Sequence, residues 1–224
     1  FNNIYKYSRS TNQTYTDEIT NLINKFNKNN KIKKKIKISE KTSLVISYGN
    51  SVTDGNRKSL KVFYNFYKKY LKKSFDTIHF LPFYPSSSDS GFAVKDHYKI
   101  EPRLGSWSDV RKISLISNVM GDLVINHSSA RGLWFSNFLK NKSPGKGYFF
   151  TVDKNFKFAS VIRPREHRLL KKINLMNKEK YLWRTFSADQ IDLNFNNPSV
   201  LLRFIKIMIS LMSHGITVFR LDAI

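Results

Sequence analysis

Apolar residues recur along the chain in two periods, and the alternation between them lays out a fold. Ile19, Leu22, Ile23 and Phe26 fall at i, i+3, i+4 and i+7, which predicts an amphipathic helix over residues 16–30. "SLVISYGNS" (Ser43–Ser51) is a short β-branched run closed by Gly and Asn, the pattern of a buried strand. Leu60, Phe63, Tyr64, Tyr67 and Leu71 return to helical spacing and predict a helix that Ser59 caps and that runs to about Lys73. "TIHFLPFYPSSSDSGF" (Thr77–Phe92) begins as a second strand and ends in a Pro/Ser/Gly loop. "SWSDVRKISLIS" (Ser106–Ser117) opens a further helix with S-x-x-D, the signature of a capping box, and "VMGDLVINH" (Val119–His127) is a third apolar strand. From residue 128 to about 187 the rhythm breaks into short strand-like pieces among aromatics, Lys, Pro and Gly. It resumes with "NNPSVLLRFIKIMISLMSHG" (Asn196–Gly215), a helix with Asn197 as cap, Pro198 in its first turn and Gly215 as its stop. "ITVFRL" (Ile216–Leu221) predicts a fourth strand, read as buried.

Apolar strands alternating with amphipathic helices predict an α/β fold with a parallel sheet and right-handed crossovers. A doubly wound open sheet wants a Gly-rich phosphate loop after the first strand, and "YGNSVTDGN" (Tyr48–Asn56) does not fit G-x-G-x-x-G. The expectation is therefore a (β/α)8 TIM barrel of which only the first half, about four β/α units, is present. An insertion follows strand three. The chain divides in this reading into a basic helical extension (1–43), the first part of the barrel (44–127), the insertion (128–187) and a barrel continuation ending at strand four (188–224).

Composition narrows the classes. With 224 residues, 41% of them hydrophobic, the chain is long enough to bury a core and is not of disordered type. No run of about 18 apolar residues occurs, so no membrane span is expected. The first residues lack both the pattern of a signal peptide and an initiator Met. The chain has no Cys, which excludes disulfides and makes a reducing cytoplasm its simplest home. A net charge of +23 raises nucleic acid as a partner. The basic residues are spread along the chain apart from "KIKKKIK" (Lys31–Lys37), and no zinc finger, RNP or GxxG pattern is present. The charge is read as a solvated surface.

The chemistry gathers at strand ends. Asp89 follows strand two, Asn126 and His127 end strand three, and Arg220 and Asp222 end strand four. Side chains alternate along a strand, so Arg220 and Asp222 face one side, which in a barrel is the interior near its active face. Arg220 beside Asp222 would favour the ionised carboxylate, and an anionic carboxylate in that place suits a nucleophile. Each residue alone reads more often as structural; their conjunction at matching strand ends points to catalysis.

"GDLVINH" resembles the first conserved region of the α-amylase superfamily (glycoside hydrolase family 13), and "GITVFRLDAI" resembles the second, which carries the nucleophile. "QIDLNFNNP" (Gln190–Pro198) resembles the short region late in the insertion domain. "HFLPFYPSSSDSGFAVKDH", "RLGSW" and "VIRPR" (Val161–Arg165) are similar to the sucrose phosphorylase and glucosylglycerate phosphorylase branch. The resemblance implies a retaining glucosyl transfer to phosphate, with Asp222 as nucleophile and Arg220 holding it charged. Asp89 and His127 would bind glucose hydroxyls, with Phe92 as a stacking wall. Arg163 and Arg165 would contact acceptor or phosphate, for which the Arg fork is suited. The implied partners are a small sugar and inorganic phosphate, with no cofactor and no metal.

The family's general acid, a Glu after strand five, and its third carboxylate, an Asp after strand seven, have no counterpart here. No Glu follows Glu179, and Asp222 is the last acidic residue. The sequence is accordingly read as an N-terminal fragment of a longer product, inactive alone. A hydrolase using water in place of phosphate is the alternative reading. A non-catalytic basic protein that binds nucleic acid is the reading from another class.

Overall fold

The computed structural model describes residues 4–29, 38–157, 161–162 and 165–224. Its elements run α1 (Arg9–Asn29), β1 (Leu44–Ser47), α2 (Ser59–Phe66), β2 (Thr77–Phe80), α3 (Trp107–Ser114), β3 (Asn118–Val124), β4 (His127–Ser129), α4 (Leu133–Leu139), β5 (Thr151–Val152), β6 (Leu170–Leu175), β7 (Lys178–Trp183), β8 (Gln190–Asp192), α5 (Pro198–Ser213) and β9 (Val218–Asp222). A π-helical turn, Tyr67–Leu71, extends α2, and a 3-10 turn, Asp89–Gly91, follows β2. The chain forms two compact units: residues 1–83, 98–123 and 201–221, and residues 84–97, 124–200 and 222–224.

The first unit is built on a four-stranded sheet in the order β1-β2-β3-β9. β1 pairs parallel with β2, Leu44 opposite Thr77, and β2 pairs parallel with β3, Thr77 opposite Asn118. All four residues of β2 are buried, as expected for a central strand covered on both faces. Leu60, Ile78, Val110, Ile113, Val119, Ile207 and Leu211 are fully buried in its core, and Phe63 meets Phe80 edge to face at 4.9 Å. α1 is tied to α5 by Lys206, whose Nζ lies 2.6 Å from Glu18 Oε1.

The second unit contains α4 and strands β4 to β8. α4 packs Phe135 and Phe138 against Phe149, with ring centroids 5.3 Å apart in both pairs. β6 and β7 form an antiparallel hairpin that β5 joins in the order β5-β7-β6. β4 pairs antiparallel with β8, setting His127 opposite Asp192 and Ser129 opposite Gln190.

Local signals behaved as their chemistry demands. Ser106 and Asp109 form the capping box that opens α3. Asn197 Oδ1 accepts the Ser199 N–H at 3.0 Å, and Gly215 ends α5 at φ 98, a conformation that favours glycine. Four expectations are corrected. Helix α1 starts at Arg9 rather than near residue 16, because Ser8 Oγ accepts the Thr11 N–H at 3.2 Å and supplies an earlier start. Ser59 does not cap α2: Lys58 holds the cap position with no side-chain bond, and the Leu60 N–H goes to the Leu104 carbonyl at 3.0 Å. His127 does not end β3, which stops at Val124; it starts β4 instead. β9 is not buried, since Arg220 and Leu221 are exposed, and among the described residues only β3 flanks it. The basic run 31–37 lies outside the described residues.

Candidate active site

Within the first unit, a carboxylate sits inside an apolar strand. Asp122, in the middle of β3, is fully buried. The neighbouring strand β2 aims His79 Nε2 at Asp122 Oδ2, 2.9 Å away, and His79 is itself buried. A carboxylate only accepts, so Nε2 carries the imidazole proton. β9 supplies the second donor: Arg220 Nη1 donates to Asp122 Oδ1. Burying a charge is costly unless it is paired and hydrogen-bonded, and both carboxylate oxygens are satisfied here. Arg220 is thus anchored on Asp122 at one end while 43% of its side chain remains exposed. Asp222 follows it on the same face of β9, half-buried at the strand's C-terminal end.

Within the second unit, a second cluster is centred on Gln190, the first residue of β8. Its Nε2 lies 2.8 Å from Asp89 Oδ2 and 2.9 Å from His127 Nε2. Gln190 is 1% exposed and His127 2%, whereas Asp89 is exposed. Burial pushes the His127 imidazole down to about 4, against the opposing pull of a hydrogen bond to the Phe92 backbone and of the Asp89 charge. His127 is therefore neutral at neutral pH and offers hydrogen bonds rather than charge. Asp89 and Ser90 stand at φ 56 and 49, in the left-handed region, at a cost of roughly 1–3 kcal/mol each. Phe92, half-buried, closes that turn with its N–H on the Asp89 carbonyl at 2.9 Å.

The structure thus joins Asp89 to His127 through Gln190 and Arg220 to Asp122. Arg165 is exposed in the segment before β6, and Arg163 lies outside the described residues. Sequence reasoning passed over Asp122, His79 and Gln190 as site residues. The signal for Asp122 was a lone acid in the apolar run "VMGDLV", which needs a buried partner. Among the described residues no group of three or more His, Asp or Glu is placed to hold a metal ion, and no helix is long and apolar enough to cross a membrane.

A parallel sheet with helical crossovers defines an α/β protein. The family model "Alpha amylase, catalytic domain" matches residues 67–224, and the chain belongs to that family. It is 41% identical over 186 residues to a glucosylglycerate phosphorylase of Allomeiothermus silvanus, covering 83% of this chain and 34% of that relative. It is 36% identical over 186 residues to the Escherichia coli K12 glucosylglycerate phosphorylase, covering 83% of this chain and 33% of the relative. The crystal structure of sucrose 6F-phosphate phosphorylase from Thermoanaerobacter thermosaccharolyticum superposes with a TM-score of 0.72 at 29% identity, covering 84% of this chain and 40% of that one. The fold is the first part of a (β/α)8 barrel, and the chain spans about a third of the length of the curated relatives it matches.

Proposed function

We propose that the full-length protein is a retaining α-glucoside phosphorylase that moves a glucosyl unit to inorganic phosphate. The observation that carries this reading is a carboxylate, Asp222, at the C-terminal end of a barrel strand, in a chain 41% identical to a glucosylglycerate phosphorylase. The Asp222 carboxylate attacks the anomeric carbon, and the bond to the leaving-group oxygen breaks. That oxygen takes its proton from a carboxylic acid about 5–5.5 Å from the nucleophile, as retaining enzymes require. A phosphate oxygen then displaces Asp222 and yields α-glucose 1-phosphate, with configuration kept by two inversions. Arg220, anchored on Asp122, holds positive charge beside the nucleophile and favours its ionised form.

Asp89 and His127 bind sugar hydroxyls. The neutral imidazole suits that place, because it adds no positive charge that would compete for the nucleophile. Phe92 forms a wall against the sugar face. Arg163 and Arg165 contact phosphate or an anionic acceptor such as glycerate, which fits the chain's charge of +23. By their sequence positions, residues 44–127 and 188–224 supply barrel and residues 128–187 the insertion domain.

The test is incubation of the full-length protein with glucosylglycerate or sucrose, with and without phosphate. Phosphate-dependent release of glucose 1-phosphate is expected, and its loss in Asp222→Asn. Free glucose without any sugar phosphate, or retained turnover in Asp222→Asn, refutes the assignment.

A further inference from the structure

The residues just before and at the start of β8, in "SADQIDL", have no assigned role in the proposed reaction, yet two of their side chains reach three residues of the loop after β2. Asp189 Oδ2 accepts the Ser88 hydroxyl at 2.9 Å and also the Ser87 hydroxyl. Ser87 Oγ lies 2.5 Å from Ser129 Oγ on β4, and Arg131 Nε stands 3.7 Å from the other Asp189 oxygen. Gln190 takes the next residue of the same loop, Asp89, and reaches His127 on β4 as well. Three consecutive loop residues are therefore held by two consecutive side chains.

The Gln190 amide has two N–H donors and one carbonyl acceptor. Both donors are used, one on Asp89 and one on His127. The opposite amide orientation would set Oε1 against a carboxylate oxygen, so chemistry fixes which end faces Asp89. His127 Nε2 must then accept, which leaves its proton on Nδ1. With Gln190 and His127 both buried, solvent does not compete at Nε2. Asp189 meanwhile holds the two serines that lead into the left-handed pair Asp89 and Ser90, where an unsupported loop would relax.

We propose that Asp189 and Gln190 are positioning residues: Asp189 pins the loop through Ser87 and Ser88, and Gln190 fixes Asp89 against His127 and locks His127 as its Nδ1–H tautomer. The functional half of this rests on Asp89 and His127 binding sugar hydroxyls. The structural half does not.

Long-range proton–nitrogen NMR correlation of the imidazoles in the full-length wild-type protein reads the tautomer directly. A protonated Nδ1 and bare Nε2 for His127 is expected; an Nε2–H tautomer overturns the proposal whatever the enzyme does. Gln190→Met keeps the side-chain length and removes both donors. It should raise KM for the α-glucoside on the order of 10- to 100-fold, with KM for phosphate unchanged. An equal rise in both KM values, or none in either, overturns the positioning role. Should Gln190→Met fail to fold, Asp189→Asn takes its place: KM for the glucoside should rise while the His127 tautomer stays as in the wild type. A protein that shows the tautomer but no phosphorolysis refutes the enzyme reading and leaves the lock standing.

Discussion

Replacing Asp122 by Leu removes a buried carboxylate with little change in shape, and its cost can be worked out from its bonds to His79 and Arg220. His79 is 4% exposed and would keep a ring N–H with no acceptor, a loss of about 1–3 kcal/mol. Arg220 keeps 43% of its side chain in water and can turn outward, so its share is under about 1 kcal/mol. Asp122→Leu should therefore lower stability by roughly 1–4 kcal/mol, dominated by the stranded imidazole. A second change, His79→Leu, removes that imidazole. Replacing both partners of a buried pair by apolar groups is near neutral, so the double variant should be more stable than Asp122→Leu alone. Urea unfolding of the wild type, the two single variants and the double variant gives the coupling, expected at about 1–2 kcal/mol. Additivity within about 0.3 kcal/mol would show that the buried pair contributes nothing specific and would sink the argument.

Stability should fall as pH drops from 6.5 toward 4. His127 and His97 are both pushed down to about 4, chiefly by burial, so between these values the unfolded chain binds protons that the folded one refuses. Each contributes fully above pH 6.5 and loses up to about 3 kcal/mol by pH 4; urea midpoints that stay flat over this range would contradict it. Gly215→Ala should cost about 2 kcal/mol or more, because φ is 98 there and a new Cβ would collide with Ser114 Oγ; an unchanged melting temperature would count against the geometry of the α5–β9 turn. Ser106→Ala should cost about 1 kcal/mol by removing one half of the capping box, measurable as a shift in the urea midpoint without a change in slope.

The particular residues show where sequence suffices. The order of strands and helices follows from apolar period, and caps such as Ser106–Asp109 and Asn197–Ser199 are closed by partners two or three positions away. Such contacts form within one turn of backbone, so the local string specifies them. The extended start of α1 escaped the apolar pattern because its first turn is polar and is fixed by Ser8. Asp89, Arg220 and Asp222 stood out as candidates by residue type and position after predicted strands, and His127 by residue type, although it starts β4 rather than ending β3. What joins them to the protein could not. Gln190 lies 101 positions from Asp89 and 63 from His127, and Arg220 lies 98 from Asp122. No period or propensity encodes pairings at that separation. They exist because parallel strands and the β4–β8 pair bring distant segments to hydrogen-bond distance. The sequence by itself determined the elements, their order and the residue types able to do chemistry. The tertiary structure alone decided which buried donor meets which acceptor, since the free energy of a buried polar group depends on the partner that folding places beside it.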